Sequence, residues 1–241
     1  MSSSGSDNSP TSLAPLSRNG RALSPAGASS GLVMLAASHS PAAEAYRALA
    51  ANLQFSYVDN PLHVIGVTSA GPGEGKSTAV ANLAVALAEG GRQVIAIDAD
   101  LRHPELHSLF GLDNNDDGLS TALVSEMPLP LQHTGAPGVR VLAAGPAPAN
   151  PVELLASRRL DRVLAQARSE ADYVLVDSAP AGALADAAVL APRLGGILLV
   201  VSAGRTRREL ARRAREQLER VRANLLGVVL VDVNDDKLYR Y

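Results

Sequence analysis

A glycine-rich segment offers the first residues that could do chemistry, because its spacing suits the binding of nucleotide phosphates. Residues 70–78 read Ala-Gly-Pro-Gly-Glu-Gly-Lys-Ser-Thr, the loose form of the phosphate-loop pattern with alanine in place of its first glycine. Glycines let backbone N–H groups converge on phosphate oxygens, Lys76 can reach the terminal phosphates, and Ser77 can hold Mg²⁺. The predicted binding residues are Gly71, Pro72, Gly73, Glu74, Gly75, Lys76, Ser77 and Thr78.

Three aspartates follow two other apolar runs. Asp98 and Asp100 come after residues 94–97, and Asp177 comes after residues 173–176. Carboxylates in such positions can hold Mg²⁺ or its waters, or accept a proton. One aspartate alone could equally cap a helix or a turn. Three of them beside a phosphate loop indicate a nucleoside triphosphate site.

The elements around these residues must place them together. Residues 62–67 predict a buried strand before the loop, and residues 79–89 predict a helix after it, whose N-terminal dipole favours phosphate. A glycine-rich turn without phosphate chemistry is the competing interpretation, and this strand, loop and helix order argues against it. Both aspartate-bearing runs are rich in β-branched residues, as in central parallel strands, and ligands bind outside the carboxyl ends of such strands.

The remaining pattern alternates strands and helices. It predicts an α/β fold with a doubly wound, mostly parallel sheet of the P-loop NTPase type and a disordered N-terminal tail. Residues 32–35 are expected to form a short extended lead-in. Further helices are predicted over residues 41–53, 104–110, 118–124, 152–169, 183–191 and 206–223, and further strands over 139–144, 197–201 and 225–231.

Composition narrows the class of protein. The 241 residues carry 22 Lys and Arg against 24 Asp and Glu, a net charge of −2, which argues against a general nucleic-acid binder. The absence of cysteine excludes disulfides and thiolate metal sites and makes the cytoplasm the expected compartment. No apolar stretch reaches the roughly 18–20 residues that span a bilayer, and no secretory signal is recognisable. Any membrane role is expected to go through a partner or a surface contact.

The sequence divides into three predicted parts. Residues 1–30 are rich in Ser, Gly, Pro and Asn and are expected to form a disordered tail. Residues 31–234 are expected to form the nucleotide-binding domain, and residues 235–241 a short polar tail that carries Tyr239 and Tyr241. Arginines on the predicted helix 206–223 are interleaved with glutamates, which favours a solvated face over a docking patch for acidic lipid or protein.

Several of these segments resemble the bacterial tyrosine kinases, or BY-kinases, over about residues 32–241. The phosphate loop with Asn82-Leu83-Ala84 is similar to the first motif of that family. Asp98-Ala99-Asp100-Leu101-Arg102 is similar to its second motif, and Asp177-Ser178-Ala179-Pro180 to its third. The resemblance implies an ATP-dependent protein tyrosine autokinase that regulates capsular or exopolysaccharide polymerisation and export.

The resemblance also implies roles for single residues. Lys76 would stabilise the β- and γ-phosphates of ATP, Ser77 would ligate Mg²⁺, and Asp98 would accept the tyrosine proton. Asp100 and Asp177, together with Asp98, would organise the metal and its waters. The phosphoacceptors would be Tyr239 and Tyr241.

The partner that the family implies is a membrane chain-length or activator protein, which would recruit a cytoplasmic kinase to the inner face of the cell membrane. A homo-oligomer is also implied, through a Glu-x-x-Arg-x-x-Arg signature that is represented here by Glu44 and Arg47. Ala50 replaces the second arginine, and alanine cannot form that ion pair across subunits. No nucleic-acid partner is expected, and membrane contact is expected only through the partner.

Two other functions fit parts of the pattern. Partitioning and division-site ATPases usually carry an extra lysine early in the loop, where this chain has Gly71. A regulator that binds nucleotide without transferring phosphate is the second alternative, and Ala50 and the short tyrosine tail are compatible with it.

Overall fold

The computed structural model describes residues 31–56, 62–114, 116–125, 128–182 and 185–233. The predicted tails over residues 1–30 and 235–241, including Tyr239 and Tyr241, lie outside these residues, as do residues 183–184 of one predicted helix.

A seven-stranded sheet forms the centre of the described chain. Its strands are β1 (Val64–Ser69), β2 (Val94–Asp98), β3 (Gln132–His133), β4 (Val139–Leu142), β5 (Tyr173–Asp177), β6 (Gly196–Ser202) and β7 (Leu225–Val231). They lie in the order β3-β4-β2-β5-β1-β6-β7, and only β3 pairs antiparallel to its neighbour. The prediction of a doubly wound, mostly parallel sheet is therefore confirmed.

Helices cover both faces of this sheet. They are α1 (Val33–Ala36), α2 (Pro41–Ser56), α3 (Lys76–Glu89), α4 (Leu106–Leu109), α5 (Leu119–Ala122), α6 (Pro151–Ala156), α7 (Arg159–Glu170), α8 (Asp186–Leu190) and α9 (Arg208–Arg220). Side chains of α1 to α4 join one apolar cluster, and those of α5 to α9 join the other. Because each face is covered, the central strands are buried along almost their whole length. None of the helices within the described ranges is long and apolar enough to cross a membrane.

Two predicted elements are wrong. The extended lead-in over residues 32–35 is instead a helical turn, in which the Leu32 carbonyl accepts hydrogen bonds from the N–H groups of Leu35 and Ala36. Leu32 and Met34 are buried, so a turn that satisfies its own backbone groups costs less than an unpaired extended segment.

The single helix predicted over residues 152–169 is two helices, α6 and α7. Ser157 takes an extended backbone (ψ 150°) and ends α6. Leu155 and Leu160 both belong to the same apolar cluster. In one continuous helix these two side chains would point about 140° apart, and the break lets both reach the core. The short strand β3 has no counterpart in the predicted elements.

The register of the sheet brings two aspartates side by side. Val67 of β1 pairs with Asp177 of β5, and Asp177 pairs in turn with Asp98 of β2. All three strands run in the same direction, so their carboxyl ends and the phosphate loop meet at one edge of the sheet.

Candidate functional site

The phosphate loop connects the end of β1 to the start of α3. Gly73 and Gly75 have positive φ angles of 67° and 80°, a conformation that glycine adopts without steric cost. The helix begins at Lys76, and no side chain caps its N-terminus. The N–H groups of its first turn have no partner within the helix, so they can bind an anion that the loop cradles.

Lys76 lies among the predicted acidic residues. Its ammonium is 2.9 Å from Asp100 Oδ2 and 3.6 Å from Asp177 Oδ2, and it donates a hydrogen bond of 3.0 Å to Ser77 Oγ. Burial alone would lower the pKa of Lys76, but the charges of Asp177 and Asp100 outweigh burial and hold that pKa above its ordinary value. Lys76 is therefore a fixed positive charge at this end of the sheet.

Asp98 has one fixed and one free oxygen. Oδ2 accepts hydrogen bonds from the N–H groups of Glu105 (3.1 Å) and Leu106 (3.0 Å), whereas Oδ1 is buried without a hydrogen-bond partner in the described structure. Burial, and next the negative charge of Asp177, raise the pKa of Asp98 well above its ordinary value. A carboxylate that is oriented on one side and free on the other can receive a proton or face a cation.

Asp177 is completely buried, and neither of its oxygens has a hydrogen-bond partner among the described residues. Burial raises its pKa to about 6, although the Lys76 ammonium acts in the opposite direction. Asp100 differs, because its Oδ1 accepts from the N–H groups of Arg102 (3.3 Å) and His103 (3.0 Å) while Oδ2 meets Lys76. Glu74 Oε2 in the phosphate loop is also buried without a hydrogen-bond partner in the described part of the chain, but at the carboxyl ends of β2 and β5 the unpartnered oxygens belong to Asp98 and Asp177.

These unpartnered oxygens fit Mg²⁺, a hard cation that prefers oxygen ligands. The described residues contain no group of three or more His, Cys, Asp or Glu side chains arranged to hold a metal ion by themselves. Mg²⁺ is usually bound by one or two carboxylates together with waters and substrate phosphates, so a complete protein cage is not required. Ser77 Oγ, Asp98 and Asp177 are the groups nearest to that role, while Asp100 pairs with Lys76.

Other predicted site residues lie elsewhere. The Glu74 carboxylate lies beside Gly71 of its own loop, and its Oε1 accepts a 2.6 Å hydrogen bond from Thr206 Oγ1. Arg47 donates to Glu44 (2.7 Å) and Glu89 (2.8 Å) of its own chain. Ala50 is buried in the core rather than displayed on the surface.

Two contacts at the site have no signal in the sequence. Thr206 lies 132 residues from Glu74, and no motif connects them. Asp186 pairs with Arg102 at 2.9 Å, but in the sequence it is only an acidic residue near the start of a predicted helix, and nothing there indicates the pairing.

The chain is similar to known proteins over most of its length. Residues 60–231 match the ParA family, described as an NUBPL iron-transfer P-loop NTPase. The tyrosine-protein kinase YwqD of Bacillus subtilis (strain 168) is 40% identical over 200 residues, which cover 82% of this chain and 83% of that protein. Both matches span the phosphate loop and all three aspartates.

Two solved structures have a fold similar to that of this chain. The kinase domain of the Escherichia coli tyrosine kinase ETK superposes with a TM-score of 0.78 and 32% identity, covering 87% of this chain and 84% of that one. The septum site-determining protein MinD of Pyrococcus horikoshii OT3, complexed with Mg-ADP, superposes with a TM-score of 0.59 and 28% identity, covering 70% and 69%.

Proposed function

The chain belongs to the bacterial tyrosine kinases, within the ParA-like P-loop NTPases, and is a protein-tyrosine kinase; from this premise we propose that it phosphorylates its own C-terminal tyrosines. The donor is Mg-ATP, and the acceptors are Tyr239 and Tyr241. The observation that carries the proposal is the convergence of Lys76 and three aspartates beside a loop whose glycines leave backbone N–H groups free for phosphate.

The chain's own residues perform most of the proposed mechanism by position and charge. The loop and the first turn of α3 bind the phosphates, and Lys76 neutralises the charge of the β- and γ-phosphates. Mg²⁺, held through Ser77 and Asp177, would supply further charge neutralisation. The tyrosine oxygen forms a bond to the γ-phosphorus, the bond from that phosphorus to the β,γ-bridging oxygen breaks, and ADP leaves.

Asp98 is the proposed acceptor of the tyrosine proton. A phenol has a pKa near 10, so a carboxylate takes its proton usefully only as the new bond to phosphorus forms. The raised pKa of Asp98 brings its basicity closer to that of the phenol. Its fixed Oδ2 holds the side chain while Oδ1 is free for the proton.

We place this kinase in the control of capsular or exopolysaccharide polymerisation and export. It would act in the cytoplasm, at the inner face of the cell membrane, on recruitment by a membrane chain-length or activator protein. In this proposal residues 31–234 form the kinase domain and residues 235–241 the acceptor tail. Glu44 and Arg47 are the proposed contacts of a homo-oligomer, in which they would exchange their present intrachain partners for those of a neighbour.

Purified protein with Mg²⁺ and ATP, probed for phosphotyrosine, tests the proposal. We expect the wild type to become labelled, and Lys76→Met and the double variant Tyr239→Phe/Tyr241→Phe to lose the label. Tyr173→Phe is the matched control, because Tyr173 lies at the start of β5, away from the carboxyl ends of the strands, and should leave labelling unchanged. Phosphate release without phosphotyrosine would instead indicate a switch ATPase, and nucleotide binding without either product would indicate a regulator.

A further inference from the structure

We infer that the ion pair between Arg102 and Asp186 positions the Asp100 carboxylate, and through it the Lys76 ammonium, by clipping the turn after β2 to the start of α8. The inference rests on the proposed function. Arg102 and Asp186 are positioning residues, because no contact of the described residues joins either of them to the phosphate loop.

The geometry of this pair is specific. Arg102 Nε donates to Asp186 Oδ2 at 2.9 Å and Nη2 donates to Oδ1 at 3.3 Å, so the guanidinium binds both oxygens side-on. Asp186 is completely buried at the start of α8, whereas the Arg102 side chain is about one-third exposed (34%). Arginine offers this planar two-point contact and lysine does not.

The pair joins segments that need an external support. Residues 99–105, between β2 and α4, contain no helix or strand. Within this turn Asp100 Oδ1 accepts from the Arg102 and His103 N–H groups, and Asp100 Oδ2 contacts Lys76. A displacement of Arg102 is therefore transmitted through its own backbone N–H to the carboxylate that holds the phosphate-binding ammonium.

The other end of the clip is anchored in the core. Asp186 opens α8, which packs into the core through Ala187 and Leu190. With Arg102 bound to Asp186, the turn after β2 is held at a set distance from α8. The register of β2 and β5 already fixes Asp98 beside Asp177, so the clip sets the position of Asp100 and of the Lys76 ammonium that Asp100 contacts.

Stability alone does not account for such a pair. Desolvating a buried carboxylate is costly, and well-packed apolar residues often replace buried ion pairs with no loss of stability. Removing only one partner is different, because it leaves an uncompensated buried charge. A positioning role and a merely structural role therefore make different predictions for a double substitution.

The test compares Arg102→Met, Asp186→Leu and the double variant by thermal unfolding and by binding of a fluorescent ADP analogue, with Mg²⁺ and with EDTA. We expect Arg102→Met to lower the unfolding temperature and the double variant to recover it. Affinity for the ADP analogue should nevertheless remain weakened by roughly tenfold or more in the double variant, as for other residues that orient a ligand-binding side chain. A double variant with wild-type affinity for the analogue would overturn the inference.

Arg102→Lys gives an independent reading if the double variant does not fold. It keeps a positive charge opposite Asp186 but cannot hold both oxygens, so we expect an unchanged unfolding temperature with weaker binding of the ADP analogue. Unchanged binding in Arg102→Lys would equally overturn the inference. Arg140→Lys is the matched control, because Arg140 pairs with Glu170 on the surface.

Nucleotide binding separates this inference from the proposed function. A wild type that binds Mg-ADP but forms no phosphotyrosine refutes the kinase reaction and leaves the clip to be judged by the binding data.

Discussion

Asp177 is held in surroundings that on balance oppose its charge, because its carboxylate is completely buried and the Lys76 ammonium 3.6 Å away offsets that burial only in part. Its pKa of about 6 in the folded chain lies above the value near 3.9 of an unfolded aspartate. The folded state therefore binds this proton more tightly than the unfolded state. The resulting stabilisation is present in full below about pH 4 and is lost as the pH rises to about 6.

Asp177→Asn should consequently stabilise the fold at neutral pH. A shift of about two units corresponds to up to roughly 3 kcal/mol, because the neutral amide avoids burying a charge. We expect urea unfolding at pH 7.5 to show a more stable variant, and the difference from the wild type to shrink toward pH 4. Asp161→Asn, at an exposed ion pair with Arg193, should change stability little at either pH. A variant less stable than the wild type at pH 7.5 would contradict this account of Asp177.

At the scale of elements, α3 follows the phosphate loop and also anchors α1. Asn82, completely buried in α3, accepts from the Met34 N–H (3.0 Å) and donates to the carbonyl oxygens of Gly31 (2.9 Å) and Thr78 (2.8 Å). One side chain thus satisfies backbone groups of a segment about 50 residues earlier in the chain.

Asn82→Ala should therefore release α1 from α3. It leaves the Met34 N–H and the Gly31 carbonyl without their partner, at roughly 1–3 kcal/mol for each group that stays buried. We expect a lower midpoint in thermal unfolding. Asn224→Ala is the matched control, because Asn224 donates a single, exposed hydrogen bond to Gly195 and its loss should be small. Equal effects of the two substitutions would show that Asn82 does not hold α1 in place.

The segment after β5 approaches the phosphate loop so closely that it requires a residue without a side chain. A Cβ at Gly182 would overlap the carbonyl oxygen of Ala70, which is part of the backbone and cannot rotate away. Gly182→Ala should cost roughly 1–3 kcal/mol, as overpacking does, and should weaken nucleotide binding because the two loops must separate. Gly135→Ala, where a Cβ would meet no atom within 4 Å, should be neutral or slightly stabilising. Unchanged ADP affinity in Gly182→Ala would refute the predicted coupling between the loops.

The sequence is informative where local pattern and local structure coincide. Lys76, Asp98 and Asp177 could be placed at one edge of the sheet because each follows a recognisable strand or glycine turn, and parallel strands end at the same edge. Contacts between distant segments leave no such pattern. Arg102 and Asp186 are 84 residues apart, and Ser157 ends a helix because the core, rather than any local breaker, requires it.

At the scale of the whole molecule, the order of the strands separates the tail from the proposed proton acceptor. The chain leaves β7 at one edge of the sheet, where Val231 lies beside Gly75 of the phosphate loop. Asp98 ends β2, four strands away, which is about 19 Å at the usual strand spacing. Six residues connect position 233 to Tyr239 and eight connect it to Tyr241, which gives a fully extended reach of at most about 22 Å and about 29 Å. The path must also pass the phosphate loop, so the tail, and Tyr239 most of all, has little slack to reach the site of its own chain.

Phosphorylation of Tyr239 is therefore expected to pass between molecules. A mixture of Lys76→Met, which keeps its tyrosines, with Tyr239→Phe/Tyr241→Phe, which keeps its kinase site, should produce phosphotyrosine on the Lys76→Met chain although neither variant is labelled alone. Tags of different length on the two variants let a phosphotyrosine blot show which of the two chains is labelled. Lys76→Met without the second variant is the control. The labelling rate per wild-type chain should also rise with protein concentration, because a partner must be met first. Wild-type labelling at a rate independent of dilution, with no label in the mixture, would mean that the tail reaches its own site and that the separation between β7 and β2 does not limit it.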